Sequence, residues 1–129
     1  MTNPFFSIII PTLNEEKFIP KLLLDLSYQK DKNFEIIIVD GNSSDKTKEV
    51  VLKFKTQLPI NFFTVDKRNV SYQRNLGTKK ASGRYLIFLD ADSGVRSNFI
   101  KKTFLIINKK KGLFFYLLLS RKKKIPSYH

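Results

Sequence analysis

The stretch 85-YLIFLDADSG-94 decides the predicted fold, because an apolar run meets two carboxylates with no turn between them. The run from Tyr85 to Leu89 is short and rich in aromatic and branched residues, which predicts a buried strand. Asp90 and Asp92 follow at once, separated by one alanine. Strands of this kind belong to parallel sheets covered on both faces, and ligands bind beyond the carboxyl ends of such strands. The two aspartates are therefore the first candidates for a functional site.

Three other segments have the same buried-strand character, and helical patterns separate them. Strands are predicted at 6–10, 34–40, 60–65 and 85–90. Helical periodicity lies within 15–29, 44–55, 71–83 and 97–110, with Asn14 as the expected N-cap of the first helix. Strands alternating with helices imply right-handed crossovers. The predicted fold class is α/β, a Rossmann-like parallel sheet with helices on both faces.

Composition and charge exclude several kinds of protein. The 129 residues include no cysteine, which excludes disulfides and thiolate metal sites, and the only histidine is the last residue, which disfavours a histidine-based triad. The net charge is +13, but residues 101–129 hold nine Lys and Arg and no acidic residue, whereas the first hundred hold 15 basic and 11 acidic residues. Because the basicity is concentrated at one end, no nucleic-acid partner is expected.

The spacing of Asp90 and Asp92 suits a metal. Residues i and i+2 of an extended chain point the same way, so both carboxylates can face one ligand. Two like charges at this spacing need a cation, a proton or hydrogen bonds, and hard carboxylate oxygens suit Mg²⁺ or Mn²⁺. The alternative is a turn in which one aspartate only satisfies nearby backbone N–H groups.

Other polar residues follow the remaining strands at the same edge. Asp40 closes the second strand in 39-VDGNSSDKT-47, with Asn42 just beyond it, and can accept hydrogen bonds from a base or a ribose. The alternative for Asp40 is an Asx turn with a helix cap. The segment has one glycine and no Gly-Lys-Ser/Thr, which argues against a phosphate-binding loop. Arg74 can pair with phosphate or carboxylate or stack on a ring, and its alternative is a surface ion pair.

Three segments together resemble a known family. In order and spacing, SIIIPTLNEE (7–16), FEIIIVDGNSSDKT (34–47) and RNLGTKKASGRYLIFLDADS (74–93) resemble the nucleotide-sugar-binding half of family 2 glycosyltransferases with the GT-A fold, over residues 5–100. The resemblance implies a nucleotide pocket whose residues are Pro11, Thr12, Asn14, Glu15, Asp40, Asn42, Arg74, Asn75 and Asp90, with Asp92 and Asp90 at the metal-bound diphosphate. Many relatives carry a second aspartate where this chain has Gly41.

The resemblance also implies an activity. A nucleoside-diphosphate sugar would bind with Mg²⁺ or Mn²⁺, and an acceptor hydroxyl on a glycan or a lipid-linked molecule would displace the diphosphate with inversion, helped by a carboxylate base. Residues 93–129 contain no Asp or Glu, and Ser93 directly follows the D-x-D motif. We therefore expect an incomplete domain over residues 1–107, truncated or frame-disrupted, with donor binding retained and transfer weak or lost. The alternative is a non-catalytic nucleotide or nucleotide-sugar binding module.

Residues 108–129 are predicted to form a basic and apolar tail. Within it, 113–124 joins seven apolar residues to Arg-Lys-Lys-Lys, a pattern that would allow a weak peripheral contact with an anionic membrane, although a disordered or partly packed end is the preferred prediction. A cytoplasmic location is expected, at the inner face of the membrane if this contact forms.

Overall fold

The computed structural model describes residues 3–109 in full and the backbone of residues 117–119. The strands are β1 (Phe6–Thr12), β2 (Phe34–Asp40), β3 (Ile60–Thr64), β4 (Tyr85–Leu89) and β5 (Leu117–Leu119). The helices are α1 (Ile19–Ser27), α2 (Thr47–Lys53), α3 (Val70–Lys80) and α4 (Phe99–Lys109), and a single 3₁₀ turn, Phe54–Thr56, follows α2. Strands and helices alternate along the chain, as the sequence predicts.

The strands form one parallel sheet in the order β3-β2-β1-β4-β5. β1 pairs with β2 along its whole length, from Phe6 opposite Phe34 to Thr12 opposite Asp40. On its other side β1 pairs with β4, with Phe6 opposite Tyr85. The predicted Rossmann-like sheet is confirmed, and its strands all end at the same edge.

The sheet is buried on both faces because successive side chains of a strand point to opposite sides. Ile8 and Ile10 of β1 belong to the larger core, which α1, α2 and α4 cover with residues such as Leu22, Val51 and Ile100. Ile9 lies in the smaller core on the other face, with Ile37, Val39 and Phe88, against which Leu76 of α3 packs. Because the strands face a core on both sides, their sequences are nearly continuous runs of apolar residues.

Two local expectations differ from the structure. α1 begins at Ile19 with Pro20 in its first turn, so Asn14 lies outside the helix and is not its N-cap. Proline is well tolerated in the first turn of a helix, because the N–H groups of that turn have no hydrogen-bond acceptor within the helix. A fifth strand, Leu117–Leu119, pairs with Ile87–Leu89 inside the region expected to be a tail.

The predicted boundary at residue 107 is not tested by this pairing, and it stays a prediction. Residues 110–116 and 120–129, which carry most of the membrane segment expected at 113–124, lie outside the described residues. Within the described part of the chain, every helix is too short or too polar to cross a bilayer.

Gly77 allows α3 to approach β1 closely. A Cβ atom at position 77 would lie 2.5 Å from Cγ2 of Ile9, far inside van der Waals contact. Ile9 is fully buried and cannot turn away freely, so the helix itself would have to shift. The close packing of α3 on β1 and β2 therefore depends on this glycine.

We expect Gly77→Ala to lower the free energy of unfolding by about 1 kcal/mol or more, because overpacking outweighs the better helix propensity of alanine. Urea denaturation followed by circular dichroism measures the loss. Lys79→Ala, on the exposed side of the same helix, is the control and should change stability by less than about 0.5 kcal/mol. Equal stability of Gly77→Ala and wild type would contradict the packing argument.

Candidate functional site

A cavity of about 210 Å³ opens at the carboxyl edge of the sheet. Three parts of the chain build it: the end of β1 with the following loop, the segment from the β3–α3 loop into α3, and the residues after β4. The lining residues are Pro11, Thr12, Leu13, Glu15, Arg68, Val70, Gln73, Asp90, Ala91 and Asp92. This is the edge at which the fold class places a ligand.

Five residues proposed from the sequence line this cavity, namely Pro11, Thr12, Glu15, Asp90 and Asp92. Arg74 lies beside them, and its Nη2 atom is 3.2 Å from Oδ1 of Asp90. The Nε atom of Arg74 is buried and has no hydrogen-bond partner among the described residues. The carboxylates that follow β1 and β4 therefore share one cavity, and Arg74 of α3 contacts one of them, Asp90.

Asp40 does not line the cavity. It is 2% exposed, and its carboxylate accepts hydrogen bonds from Oγ1 of Thr12 at 2.6 Å and from both the N–H and the Oγ of Ser43. This is the geometry of the turn-stabilising alternative, in which the carboxylate ties the ends of β1 and β2 together. Direct contact of Asp40 with a base or ribose stays a prediction.

Asn14 and Asn42 both adopt left-handed backbone conformations, with φ of 53° and 60°. Asparagine tolerates this region because its short polar side chain can bond locally. Oδ1 of Asn14 accepts hydrogen bonds from the backbone N–H groups of Ser44 and Asp45, so it joins the β1 loop to the β2 loop. The two asparagines shape the rim of the site, and neither is among its lining residues. Asn75 is exposed on α3 and also lies outside the lining.

Two lining residues with polar side chains, Arg68 and Gln73, were not among the predicted site residues. Nε of Arg68 donates to the carbonyl oxygen of Gly41 and Nη2 donates to that of Asn42, each at 3.1 Å. Nε2 of Gln73 donates to the carbonyl oxygens of Thr12 and Val39, at 3.0 and 2.8 Å. Only their positions in the sequence could have indicated these two residues, since Arg68 follows β3 and Gln73 directly precedes Arg74.

Burial, and after it the negative charges of Asp92, Asp45 and Asp90 in that order, together raise the pKa of Glu15 to about 7. Two of these three neighbours, Asp92 and Asp90, line the same cavity. The raised pKa therefore reflects two properties of the cavity, its exclusion of water from Glu15 and the closeness of other carboxylates.

The donor set of the cavity fits a hard divalent cation that is completed by a substrate. Within the described residues, no three acidic, histidine or cysteine side chains are grouped closely enough to hold an ion by themselves. Mg²⁺ is commonly bound through one or two carboxylates together with phosphate oxygens and water. Asp92 and Asp90 can supply those carboxylates, and the remaining ligands would come from a diphosphate.

Comparison with known proteins agrees with this arrangement. The family model described as Glycosyl transferase family 2 matches residues 7–129, which extends beyond residue 100, where the resemblance in the motifs ends. A glucuronosyltransferase of Methanococcus voltae that acts on dolichyl N-acetyl-alpha-D-glucosaminyl phosphate is 40% identical over 103 residues, covering 75% of this chain and 32% of that protein. The Staphylococcus aureus poly(ribitol-phosphate) beta-N-acetylglucosaminyltransferase TarS is 32% identical over 100 residues, covering 74% of this chain and 18% of that protein.

The fold matches as well. The crystal structure of S. aureus TarS 1-349 in complex with UDP-GlcNAc superposes with a TM-score of 0.77 at 30% identity, covering 81% of this chain and 31% of that chain. The chain thus spans about a third or less of the length of these relatives. With a family match over nearly all of its residues and the GT-A architecture of a glycosyltransferase, the chain belongs to glycosyl transferase family 2.

Proposed function

We propose that this chain binds a nucleoside-diphosphate sugar together with Mg²⁺ or Mn²⁺, for inverting transfer of the sugar to an acceptor hydroxyl. The observation that carries the proposal is the convergence of Glu15, Asp90 and Asp92 on one cavity, where burial and the neighbouring carboxylates together raise the pKa of Glu15 to about 7. Arg74 compensates part of this negative charge at Asp90, and a bound cation would compensate more of it.

Different residues of the cavity would bind different parts of the donor. Arg74 fixes the orientation of the Asp90 carboxylate through their 3.2 Å contact, which leaves Asp92 as the freer metal ligand. Pro11, Leu13 and Val70 supply apolar surface on which a base can lie. A divalent ion bound there would neutralise the diphosphate leaving group and hold it in place.

TarS, with which this chain shares its fold, binds UDP-GlcNAc in the crystal. On that likeness we take uridine diphosphate as the first nucleotide to test. The relatives named above act on a dolichyl-linked sugar phosphate and on poly(ribitol phosphate), which supports a glycan or lipid-linked acceptor.

Donor binding and sugar transfer are separable in this proposal. The general base of an inverting transfer must lie on the acceptor side of the sugar, and residues 93–129 offer no carboxylate for that role. A second candidate function is a nucleotide-sugar binding module without turnover, which would use the same cavity. Release of UDP from UDP-GlcNAc in the presence of acceptors distinguishes the two, because only the enzyme releases it faster than spontaneous hydrolysis.

We expect Asp92→Asn to weaken Mn²⁺-dependent UDP binding by about tenfold or more, because the amide carries no charge to hold the ion. Isothermal titration of the full chain with UDP, with and without Mn²⁺, measures the effect. Asp66→Asn is the matched control, since Asp66 is an exposed carboxylate near the same edge that does not line the cavity. UDP binding that survives both Asp92→Asn and removal of metal by a chelator would overturn the metal assignment.

We also expect Glu15→Gln to stabilise the free protein at pH 8 and to leave its stability nearly unchanged at pH 4, below the ordinary pKa of the group. The pKa of Glu15 is about 7 in the folded chain against an ordinary value of 4.5. The folded state therefore binds more protons between these values, and wild-type stability falls as the pH rises through them. Because the side chain is only half-buried, we expect a difference of about 1 kcal/mol at pH 8.

Thermal unfolding at the two pH values measures this difference, with Glu16→Gln as the control for a neighbouring carboxylate outside the cavity. A wild-type protein that gains stability over Glu15→Gln as the pH rises would contradict the prediction.

A further inference from the structure

The cavity has two ends of opposite chemical character. Asp90 and Asp92 follow β4, whereas Arg68 is bonded to the carbonyl groups of Gly41 and Asn42 just beyond β2. β1 lies between β2 and β4, so the two ends are about two strand spacings, or about 10 Å, apart. A nucleotide that places its diphosphate at the acidic end has its base at the Arg68 end.

Arg68 is held in place without losing its charge. Both of its hydrogen bonds go to neutral carbonyl oxygens, and it forms no ion pair with any of residues 3–109. These bonds occupy Nε and one terminal nitrogen, and a guanidinium group has five N–H donors in a fixed plane. The remaining donors are pre-oriented at the cavity that Arg68 lines.

Gln73 offers an acceptor beside these donors. Its Nε2 atom faces two carbonyl oxygens, those of Thr12 and Val39, which fixes the amide orientation because an oxygen in that position would face two acceptors. No group among the described residues donates to its Oε1 atom. Gln73 is almost fully buried and lines the cavity, so its Oε1 atom can accept a hydrogen bond from a ligand.

Gly41 brings the two side chains together. A Cβ atom at position 41 would lie 3.5 Å from Cγ of Arg68 and 3.6 Å from both Nε2 and Oε1 of Gln73. Arg68 and Gln73 thus flank the same point beyond β2, where the chain itself has no side chain. Asp40, the only carboxylate next to this point in sequence, is already bonded to Thr12 and Ser43.

We propose that Arg68 and Gln73 select the base of the donor nucleotide, with the guanidinium donating to a ring carbonyl and Oε1 of Gln73 accepting from the adjacent ring N–H. This assignment rests on the proposed function. Uracil has such a carbonyl and N–H edge, and guanine has one too, whereas cytosine and adenine place an amino donor and an unprotonated ring nitrogen there. The site therefore takes a keto base and rejects an amino base of the same size.

The test compares four nucleotides and one ligand without a base. Isothermal titration of the full chain in Mn²⁺ uses UDP, CDP, GDP, ADP and inorganic pyrophosphate. Wild type should bind UDP at least about tenfold more tightly than CDP, the discrimination expected of a good paired contact to a base edge. Arg68→Met should bring the UDP and CDP affinities to within about threefold of each other and leave pyrophosphate affinity unchanged.

Two further variants separate base selection from other roles of Arg68. Arg68→Lys keeps the positive charge but not the planar donors, so it should lose base discrimination as Arg68→Met does; full recovery of UDP affinity by lysine would show a phosphate contact and overturn the proposal. Lys67→Met is the matched control, because Lys67 lies over the ring of Tyr72, 5.1 Å from its centroid, and does not line the cavity.

The outcomes distinguish this inference from the proposed function. Equal affinity of wild type for UDP and CDP overturns base selection while leaving donor binding intact. Equal losses of UDP, CDP and pyrophosphate affinity in Arg68→Met also overturn it, since a structural role would weaken all three. No binding of any nucleotide or of pyrophosphate would contradict the proposed function, and base selection with it.

Discussion

The position of β1 at the reversal of the sheet is the constraint on which the site depends. β2 and β3 extend to one side of β1 and β4 to the other, so the connections leaving β1 and β4 diverge and a crevice opens above the end of β1. Ile8, Ile9 and Ile10 lock this strand between two cores, and all three are fully buried. The carboxylates that follow β1 and β4 are therefore placed on one cavity by strands that are packed inside the core, and their repulsion is not easily relieved by moving a strand.

Two glutamates at opposite edges of the sheet show what the fold does with charge. Burial alone would raise the pKa of Glu35, but hydrogen bonds from Ser7 and Ser82 outweigh it and lower the pKa below the ordinary value. Glu35 is thus a structural carboxylate whose partners are built into the chain. Among residues 3–109, Glu15 has no comparable set of donors to its carboxylate, and burial with neighbouring aspartates raises its pKa instead. The difference indicates that, at the carboxyl edge, a bound ligand is expected to supply the groups that compensate the negative charge.

The sequence predicted most of the fold because each strand and helix is specified by residues close together in the chain. The four apolar runs and the helical patterns between them suffice for a parallel sheet, and the sheet in turn places Glu15, Asp90 and Asp92 at one edge. Asn14 was misassigned because its polar context resembles a helix start, while Pro20 sets the true start at Ile19. Arg68 and Gln73 could not be assigned in this way. Their contacts with Gly41 and Thr12 span 27 and 61 residues, and no local pattern encodes such distances.

The turn after β2 determines which side chains of the site can contact a base. Asp40 uses its carboxylate inside the turn, where Thr12 and Ser43 satisfy it, and Gly41 contributes only backbone. Any side chain that hydrogen-bonds a ligand at this end must therefore come from another part of the chain. The segment from Arg68 to Gln73 lies next to the turn and can supply such side chains. Under the proposed assignment, this end presents a cation and a neutral acceptor, while the other presents carboxylates that need a metal. A metal ion bound by the carboxylates would attract the anionic diphosphate to that end, which would leave the neutral base to hydrogen-bond at the Arg68 end. The sugar then lies beyond Asp92, and choosing the acceptor falls to groups other than those that hold the nucleotide.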